Sequence, residues 1–565
     1  TLLSDDIPSI EESALSPTEL PFTQDDFDPQ MEQALELMPE IVGDESVGVK
    51  YAINGVLSVT YDGMPLLGET PEVKGLWSAA AVWIKEGPGA GKTVAELIVH
   101  GDSEIDVFES NIARAYSSQR TRTHVVARAS EGFNKMYGIV HPGEQWASDR
   151  NVRLSPFYER QRALKAVFYE GAGWERPQWY ASNETLLDEY GDRINQREAE
   201  WDARWWSPII NAEHLAMRDR AAMIDLSAFA IFDVTGPAAL DVVQKVAMRQ
   251  MNVEAGRVVY TPLLTPSGGF KQDLTIMRLA DDTFRVVTGG AFGMSDLKWF
   301  ADHLPEDGSA QVHDQTNAWT TIGLWGPRAR DILSSITSAD VSHEGLPFAR
   351  CKQIEVGPVQ VLASRISYVG DLGWELYVPM EQGARLWDLI AEAGEPHGII
   401  PAGIGVYGTT GRLEKCYRAY GAELEGDFNV VEAGMAWGPV KAEDFVGKEA
   451  HLRHREEEPA AVMCTLTVDD HASKSGVKRY MLGKEPVLTR DGRSLVDNKG
   501  RHSYITSAGA GPSVGKHILM SYLPPEQAVV GAELAVEYMG ERYPVTVAAN
   551  DSTPLFDPDN SRIRC

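Results

Sequence analysis

Basic residues are scarce in this 565-residue chain: 52 Lys and Arg stand against 82 Asp and Glu, for a formal charge of -30. A surface of that sign repels phosphate backbones and anionic lipid, which excludes nucleic acid and membrane surfaces as partners over most of its area. Cysteine is rarer still. Cys351, Cys416, Cys464 and Cys565 are dispersed, with no CxxC pair and no histidine at ligand spacing, so neither a thiolate metal site nor a disulfide framework is expected. Buried thiols in a reducing compartment are the expectation. Long apolar runs are missing as well: the stretch from Gly75 to Ile84 is too short to span a bilayer. No basic segment followed by an apolar one opens the chain, so no secretion signal is visible. It begins at Thr1, which fits either processing or a piece of something longer.

What is present is a folded chain of several domains. An apolar fraction of 43% with 14 Trp supplies the side chains that offset ordering entropy, and at ~100 to 200 residues per domain the length implies three or four. Residues 1-45 mix Pro, Ser and acids and read as a linker or surface wrap, with a short helix at MEQALELMPEI. YAINGVLSVTYDGMPLLGE predicts a hairpin turning at Asp62-Gly63, GLWSAAAVWI a buried strand, and EGPGAGKTVAELIVHG a glycine-rich turn entering a helix. Strands and helices then alternate: AIFDVTG, GPAALDVVQKV, DLTIMRLADDTFRVVTGG, and an amphipathic ARLWDLIAEAGEPHG closed by Gly394. This is a mixed α+β pattern and not a βαβ series. REEEPA marks a boundary, beyond which LTVDD, YITSAG, AELAVEYMG and YPVTVAAND predict a small β-barrel-like domain.

Two segments carry chemistry. In Val259 to Thr275 a Gly-Gly turn joins two strands and Asp273 stands at the start of an apolar strand; alone, it suits a turn-capping role better than a catalytic one. In SYVGDLGWELY, Glu375 again puts a carboxylate inside an aromatic, apolar strand, where an acid needs a partner or a ligand. The run Gly87 to Thr93 fails as a phosphate loop, because Glu86 occupies a position that requires glycine. His451 and His454 in HLRH read as a solvated charged helix face, and His100, His214 and His313 stand alone without a signal. No metal site is expected.

VVYTPLLTPSGGFKQDLTIMR and SYVGDLGWELY resemble the two signature segments of the aminomethyltransferase (T-protein) of the glycine cleavage system, and GPAALDVVQKV, GLWGPRARDIL and GRLEKCYRAYG fit the same pattern. NGVLSVTYDGMPLLGE, VRLSPFYERQ, GAGWERPQWY and LGKEPV widen the resemblance to dimethylglycine oxidase and the dimethylglycine and sarcosine dehydrogenases, from about Asp25 onward. The resemblance implies a multidomain α+β chain: 46-155 the C-terminal part of an FAD-dependent oxidoreductase domain, 156-455 an aminomethyltransferase-like folate-binding domain, 456-565 a C-terminal β-barrel-like domain. It implies tetrahydrofolate and FAD as cofactors and an N-methylated amino acid such as dimethylglycine or sarcosine as the small-molecule substrate.

No strand followed by GxGxxG opens the chain, so the dinucleotide-binding half of a flavin domain is missing and a flavin-bearing partner chain or fragment is expected. By the same resemblance Asp273 is the catalytic acid, Glu375 holds the pterin, and Tyr260, Tyr368 and Phe229 line the folate site, while Lys85, Gly87 and Gly89 face the flavin. An arginine of the simple transferase's site aligns near Tyr407, leaving Arg365 or Lys271 to hold an anionic tail. The rival readings are a self-contained folate-dependent aminomethyltransferase or demethylase, and a folate-binding regulatory protein without chemistry. The bacterial cytoplasm is the expected location, the mitochondrial matrix the alternative, and an oligomer is compatible with either.

Overall fold

A computed structural model describes residues 19-44, 46 and 48-565. Residues 1-18 and 45 of the linker reading lie outside the described residues. The helix expected at MEQALELMPEI starts earlier, as α1 (Gln24–Leu37).

The next part is small and loosely cored. Strands β1 (Leu66–Glu69) and β2 (Trp77–Ala80) pair with each other and carry α2 (Gly87–His100), with Leu67, Ala90 and Val94 forming a minor core. Three sequence expectations are corrected here. No hairpin turns at Asp62-Gly63; Arg114 takes both Asp62 oxygens at 2.7 and 2.8 Å, plus the Met64 carbonyl at 3.0 Å, and folds the segment onto itself. The GLWSAAAVWI strand is only β2, half-buried to exposed, and Ile84 beyond it is 98% exposed. Gly87, Gly89 and Gly91 form the first turns of α2 itself and not a turn before it. Helix α3 (Arg122–Met136) and the hairpin β3 (Ala166–Gly171) and β4 (Trp174–Tyr180) follow.

Three sheets make up the rest. Helix α4 (Ile209–Asp219) leads into β5 (Ala222–Asp225) and β6 (Ala230–Thr235), then α5 (Ala239–Val246) into β7 (Val258–Leu264), β8 (Phe270–Ala280) and β9 (Thr283–Thr288). After α6 (Gly293–Asp302) come β10 (Gln311–Asp314), β11 (Trp319–Trp325), β12 (Cys351–Val356), β13 (Val359–Ser364) and β14 (Gly373–Pro379). Helix α7 (Gly383–Gly394) precedes β15 (Ile400–Ala402). The first sheet runs β10-β6-β9-β8-β7 and the second β12-β13-β14-β11-β5-β15, with only the last pair parallel. Apolar residues on alternate strand positions face the helices, with Trp374 and Trp325 wholly enclosed. Gly394 does not close α7. A 3-10 turn extends it, and Gly398, at φ +66°, supplies the left-handed exit.

Helix α8 (Lys448–Glu456) leads to the third sheet, built from β16 (Val462–Val468), β17 (Val487–Thr489), β18 (Ile505–Gly511), β19 (Lys516–Leu523), β20 (Glu533–Tyr538) and β21 (Glu541–Ala549) in the order β17-β20-β21-β16-β19-β18. Its two edges meet through Val487 N–H to the Ser503 carbonyl (3.0 Å) and Ile505 N–H to the Glu485 carbonyl (2.8 Å), which closes a barrel and removes the free edges. Two further corrections fall nearby. His451 is not solvated: it is buried near Phe445, where burial and the Arg455 charge push its pKa down to about 4. Three of the four thiols are buried as expected, but Cys565 is exposed.

His214, which carried no signal in the sequence, belongs to a buried ionic network joining the lobes. Its Nε2 lies 2.9 Å from Glu414, Arg218 donates to Glu414 at 3.0 Å and to Asp371, and Arg562 from the C-terminal helix also reaches Asp371. Burial opposes the Glu414 charge, but His214, Arg218 and the Ser513 contact together hold its pKa down at about 2. Because that value lies below the unfolded one, the stability it contributes is present above about pH 4 and lost as pH falls from there toward 2. Glu414→Gln leaves Arg218 under-paired in the interior and should cost about 3–5 kcal/mol, measured as a loss in denaturant unfolding free energy at pH 7.

Candidate functional site

The β7–β8 hairpin positions Asp273. Its turn uses Gly268 at φ +86°, and a Cβ on Gly269 would lie 2.1 Å from the Gly426 carbonyl oxygen, so only glycine allows the hairpin to press against that loop. Asp273 then sits opposite Pro262, and the Tyr260 hydroxyl donates to its Oδ2 at 2.7 Å. Burial raises the Asp273 pKa to about 6; the Tyr260 bond and the Tyr420 backbone amide oppose the rise, and Glu423 adds to it. Tyr260 leaves 41% of its surface exposed while its hydroxyl end reaches inward.

Glu375 stands on β14 in the second sheet, with Tyr377 two residues on and therefore on the same face. The Tyr377 hydroxyl donates to Oε2 and the Tyr407 hydroxyl to Oε1 at 3.4 Å. Burial raises the Glu375 pKa to about 7 against these two bonds. Each carboxylate oxygen keeps acceptor capacity beyond its phenol partner. Tyr407 lies on a π-helical turn (Val406–Gly411), a local irregularity of the kind often found at functional sites. Around it are Tyr368 at 5.1 Å, Trp325 at 5.5 Å and Phe229 at 6.1 Å between ring centres. Tyr368 donates to the Arg418 carbonyl at 2.6 Å and stacks on Tyr417. Asp273 raises the pKa values of both Tyr368 and Tyr407, and Tyr407 reaches Glu375, so one aromatic cluster links the two carboxylates across the first two sheets.

The structure thus gathers Asp273, Tyr260, Tyr368, Glu375 and Phe229. It leaves Lys85, Gly87 and Gly89 apart, at the start of α2, where Lys85 pairs with Glu86 and lies over Trp83. Arg365 is not available for an anionic tail: it is fully buried and donates to the carbonyls of Leu346, Ile563 and Cys565. Lys271 lies over Trp299. Sequence reasoning missed Tyr377, for which strand alternation was the available signal. It also missed Arg412, which the buried Glu423 anchors at 2.9 Å behind Tyr368.

Beside this cluster is a cavity of about 470 Å³ whose walls include Tyr61, Arg114, Arg128 and Trp146 from the first part, and Phe292 and Tyr420 from the sheet region. Both arginines are neutralised, by Asp62 and Glu170. The two regions are held together by Ser267 N–H to Asp102 (2.9 Å) and Lys298 to Glu69 (3.3 Å). Among the described residues no cluster of His, Cys, Asp and Glu could hold a metal ion, and no helix is long and apolar enough to cross a membrane.

Fold and site define the class as a multidomain α+β protein of aminomethyltransferase architecture. The glycine cleavage system aminomethyltransferase T from Bartonella henselae superposes with a TM-score of 0.58 at 21% identity, covering 71% of this chain and 98% of that one. The chain belongs to the family described as GCVT N-terminal domain, whose model matches residues 157–441. Residues 100–155 match the FAD dependent oxidoreductase central domain and 477–557 the glycine cleavage T-protein C-terminal barrel domain. Human mitochondrial dimethylglycine dehydrogenase is 28% identical over 96% of this chain and 60% of its own length. The 4-methylaminobutanoate oxidase (formaldehyde-forming) of Paenarthrobacter nicotinovorans is 31% identical over 92% of this chain and 60% of its own. The chain therefore spans about 60% of the length of these curated relatives.

Proposed function

We propose that this chain binds tetrahydrofolate in the aromatic pocket and transfers a one-carbon unit to it, forming 5,10-methylenetetrahydrofolate from an oxidised N-methyl amino acid such as dimethylglycine or sarcosine. The observation that carries this reading is the pairing of a half-buried carboxylate, Asp273, with a buried one, Glu375, through one cluster of aromatic side chains. Glu375 suits the paired N–H donors of an aminopyrimidinone ring, which a carboxylate accepts through two oxygens. Tyr407, Tyr368 and Phe229 offer flat apolar surface to the same ring. When a folate nitrogen attacks an iminium carbon it gains positive charge and must lose its proton; a carboxylate with a pKa near 6 accepts that proton and stabilises the cation that precedes its loss.

Oxidation of the amine falls to a flavin, carried by a partner chain or by sequence outside this one. The chain's own residues near the flavin would be Lys85, Gly87 and Gly89. Their neighbourhood fits a role in covering a ring edge better than one in holding phosphates, because the Glu86 carboxylate stands beside them. The exposed Ile84, Ile98 and Val99 on the same part offer apolar surface to that partner. We take 46-155, 156-455 and 456-565 as the working units, and the bacterial cytoplasm or the mitochondrial matrix as the location, since both keep the free thiols reduced.

The test uses the flavin-bearing assembly that contains this chain. Oxidation of dimethylglycine with tetrahydrofolate present should yield methylenetetrahydrofolate, read through an NADP-linked methylenetetrahydrofolate dehydrogenase. Stoichiometric formaldehyde, unchanged by added tetrahydrofolate, would refute the reading.

A further inference from the structure

The start of β8 is irregular. Phe270 pairs with Leu264 and Gln272 with Leu263, so Lys271 is the extra residue of a bulge two positions before Asp273. Bulges of this kind re-aim the side chains that follow them. The Asp273 N–H donates at 2.9 Å to Oε1 of Gln272, the side chain of the preceding residue. Gln272 is fully buried, and its Nε2 donates at 3.0 Å to Oδ2 of Asp296, in the first turn of α6. The same oxygen accepts from the Thr288 hydroxyl at 2.7 Å.

We propose that Asp296 is a positioning residue for Asp273, acting through the carboxamide of Gln272; this rests on the reading of Asp273 as the proton acceptor. A carboxamide can be held in either of two orientations, and its neighbours decide which. An ionised Asp296 only accepts, so it draws the Gln272 NH₂ toward itself and leaves the carbonyl oxygen for the Asp273 amide. A neutral partner at 296 that can donate permits the reverse, which would set NH₂ against N–H at Asp273 and shift the carboxylate. Asp296 is also expensive where it stands: it is buried and forms no ion pair among the described residues. The positive end of α6 offsets only part of that cost. Burial raises its pKa to about 6, with Asp273 adding to the rise and Lys271 opposing it. The two carboxylates therefore repel, and a charged Asp296 keeps Asp273 a stronger base. The other groups facing Asp273 are Tyr260, Tyr368, Tyr407, Tyr420, Glu423 and Arg412. Tyr116 and Tyr420 face Asp296.

The experiment follows methylene transfer against pH in the flavin-bearing assembly, with folate KM and the unfolding midpoint measured alongside. Asp296→Asn should move the acidic limb of kcat to lower pH and lower its plateau by about tenfold to a hundredfold, the range for a misplaced reacting group, while folate KM changes little. Gln272→Met, which removes the bridge and keeps the volume, should lower the plateau similarly, and it serves if Asp296→Asn does not fold. A pH profile and plateau that superimpose on the parent protein, whatever happens to the midpoint, would overturn the proposal. Failure of the underlying reading shows separately, as full transfer by Asp273→Asn.

Discussion

Asp273→Asn should lower one-carbon transfer by about 10²- to 10⁴-fold, the usual contribution of a positioned acid or base, while folate still binds. In the assembly, amine oxidation should continue and the lost carbon should appear as formaldehyde. The same substitution should stabilise the fold at neutral pH. The folded Asp273 pKa of about 6 lies above the unfolded value near 3.9, so between those values the folded state holds more proton than the unfolded one. Stability therefore falls as pH rises from about 4 to about 6, and above that the cost of the buried charge is complete. Asparagine carries no such charge. Its unfolding midpoint should exceed that of the parent protein at pH 8, and the gap should close toward pH 4. Transfer lost and stability gained in one variant would mark Asp273 as a residue kept for chemistry.

Glu375→Gln should weaken tetrahydrofolate binding far more than it slows chemistry. It removes one partner of a buried, charge-assisted hydrogen-bonded pair, a change that typically costs 2–5 kcal/mol, or roughly 30-fold or more in Kd. Of its other partners, Tyr377 and Tyr407, one can donate to the carboxamide oxygen and the other can accept from the NH₂, so the fold should survive. The parent protein should show a pH dependence that the variant lacks. With its pKa near 7 before ligand arrives, Glu375 must give up a proton to meet the ring's donors, so affinity should fall by up to about tenfold per pH unit below that point. Calorimetric titration across pH 5.5 to 8.5 in buffers of different ionisation heat reads both the affinity and the proton released. The variant's affinity should be flat over the same range.

The sequence made the two carboxylates visible because each stands in a continuous segment where a charge conflicts with its apolar neighbours. The barrel was equally legible from its turn-punctuated strands, since strand and turn signals are local. What stayed hidden depends on residues far apart in the chain. His214 and Glu414 are 200 positions apart, and nothing near either one announces the other. Nothing in the sequence around Asp296 points to Gln272, 24 positions away, to which the fold carries it. Tyr407 sits on a π-helical turn, which leaves no apolar periodicity to follow. The GLWSAAAVWI segment misled for the opposite reason: apolar composition implies burial only where the fold supplies a cover, and here Ile84 has none among the described residues. Asp62-Gly63 does turn, with the Gly63 N–H on the Thr60 carbonyl at 3.3 Å, but no paired strands flank it, and Arg114 holds Asp62 instead.

The most direct test of the central claim is a crystal structure of this chain with tetrahydrofolate bound. The aminopyrimidinone edge should lie on the Glu375 carboxylate, the ring against Tyr407 and Phe229, and the reacting nitrogens should face Asp273. Folate bound elsewhere, or a pocket that stays empty at saturating ligand, would contradict it.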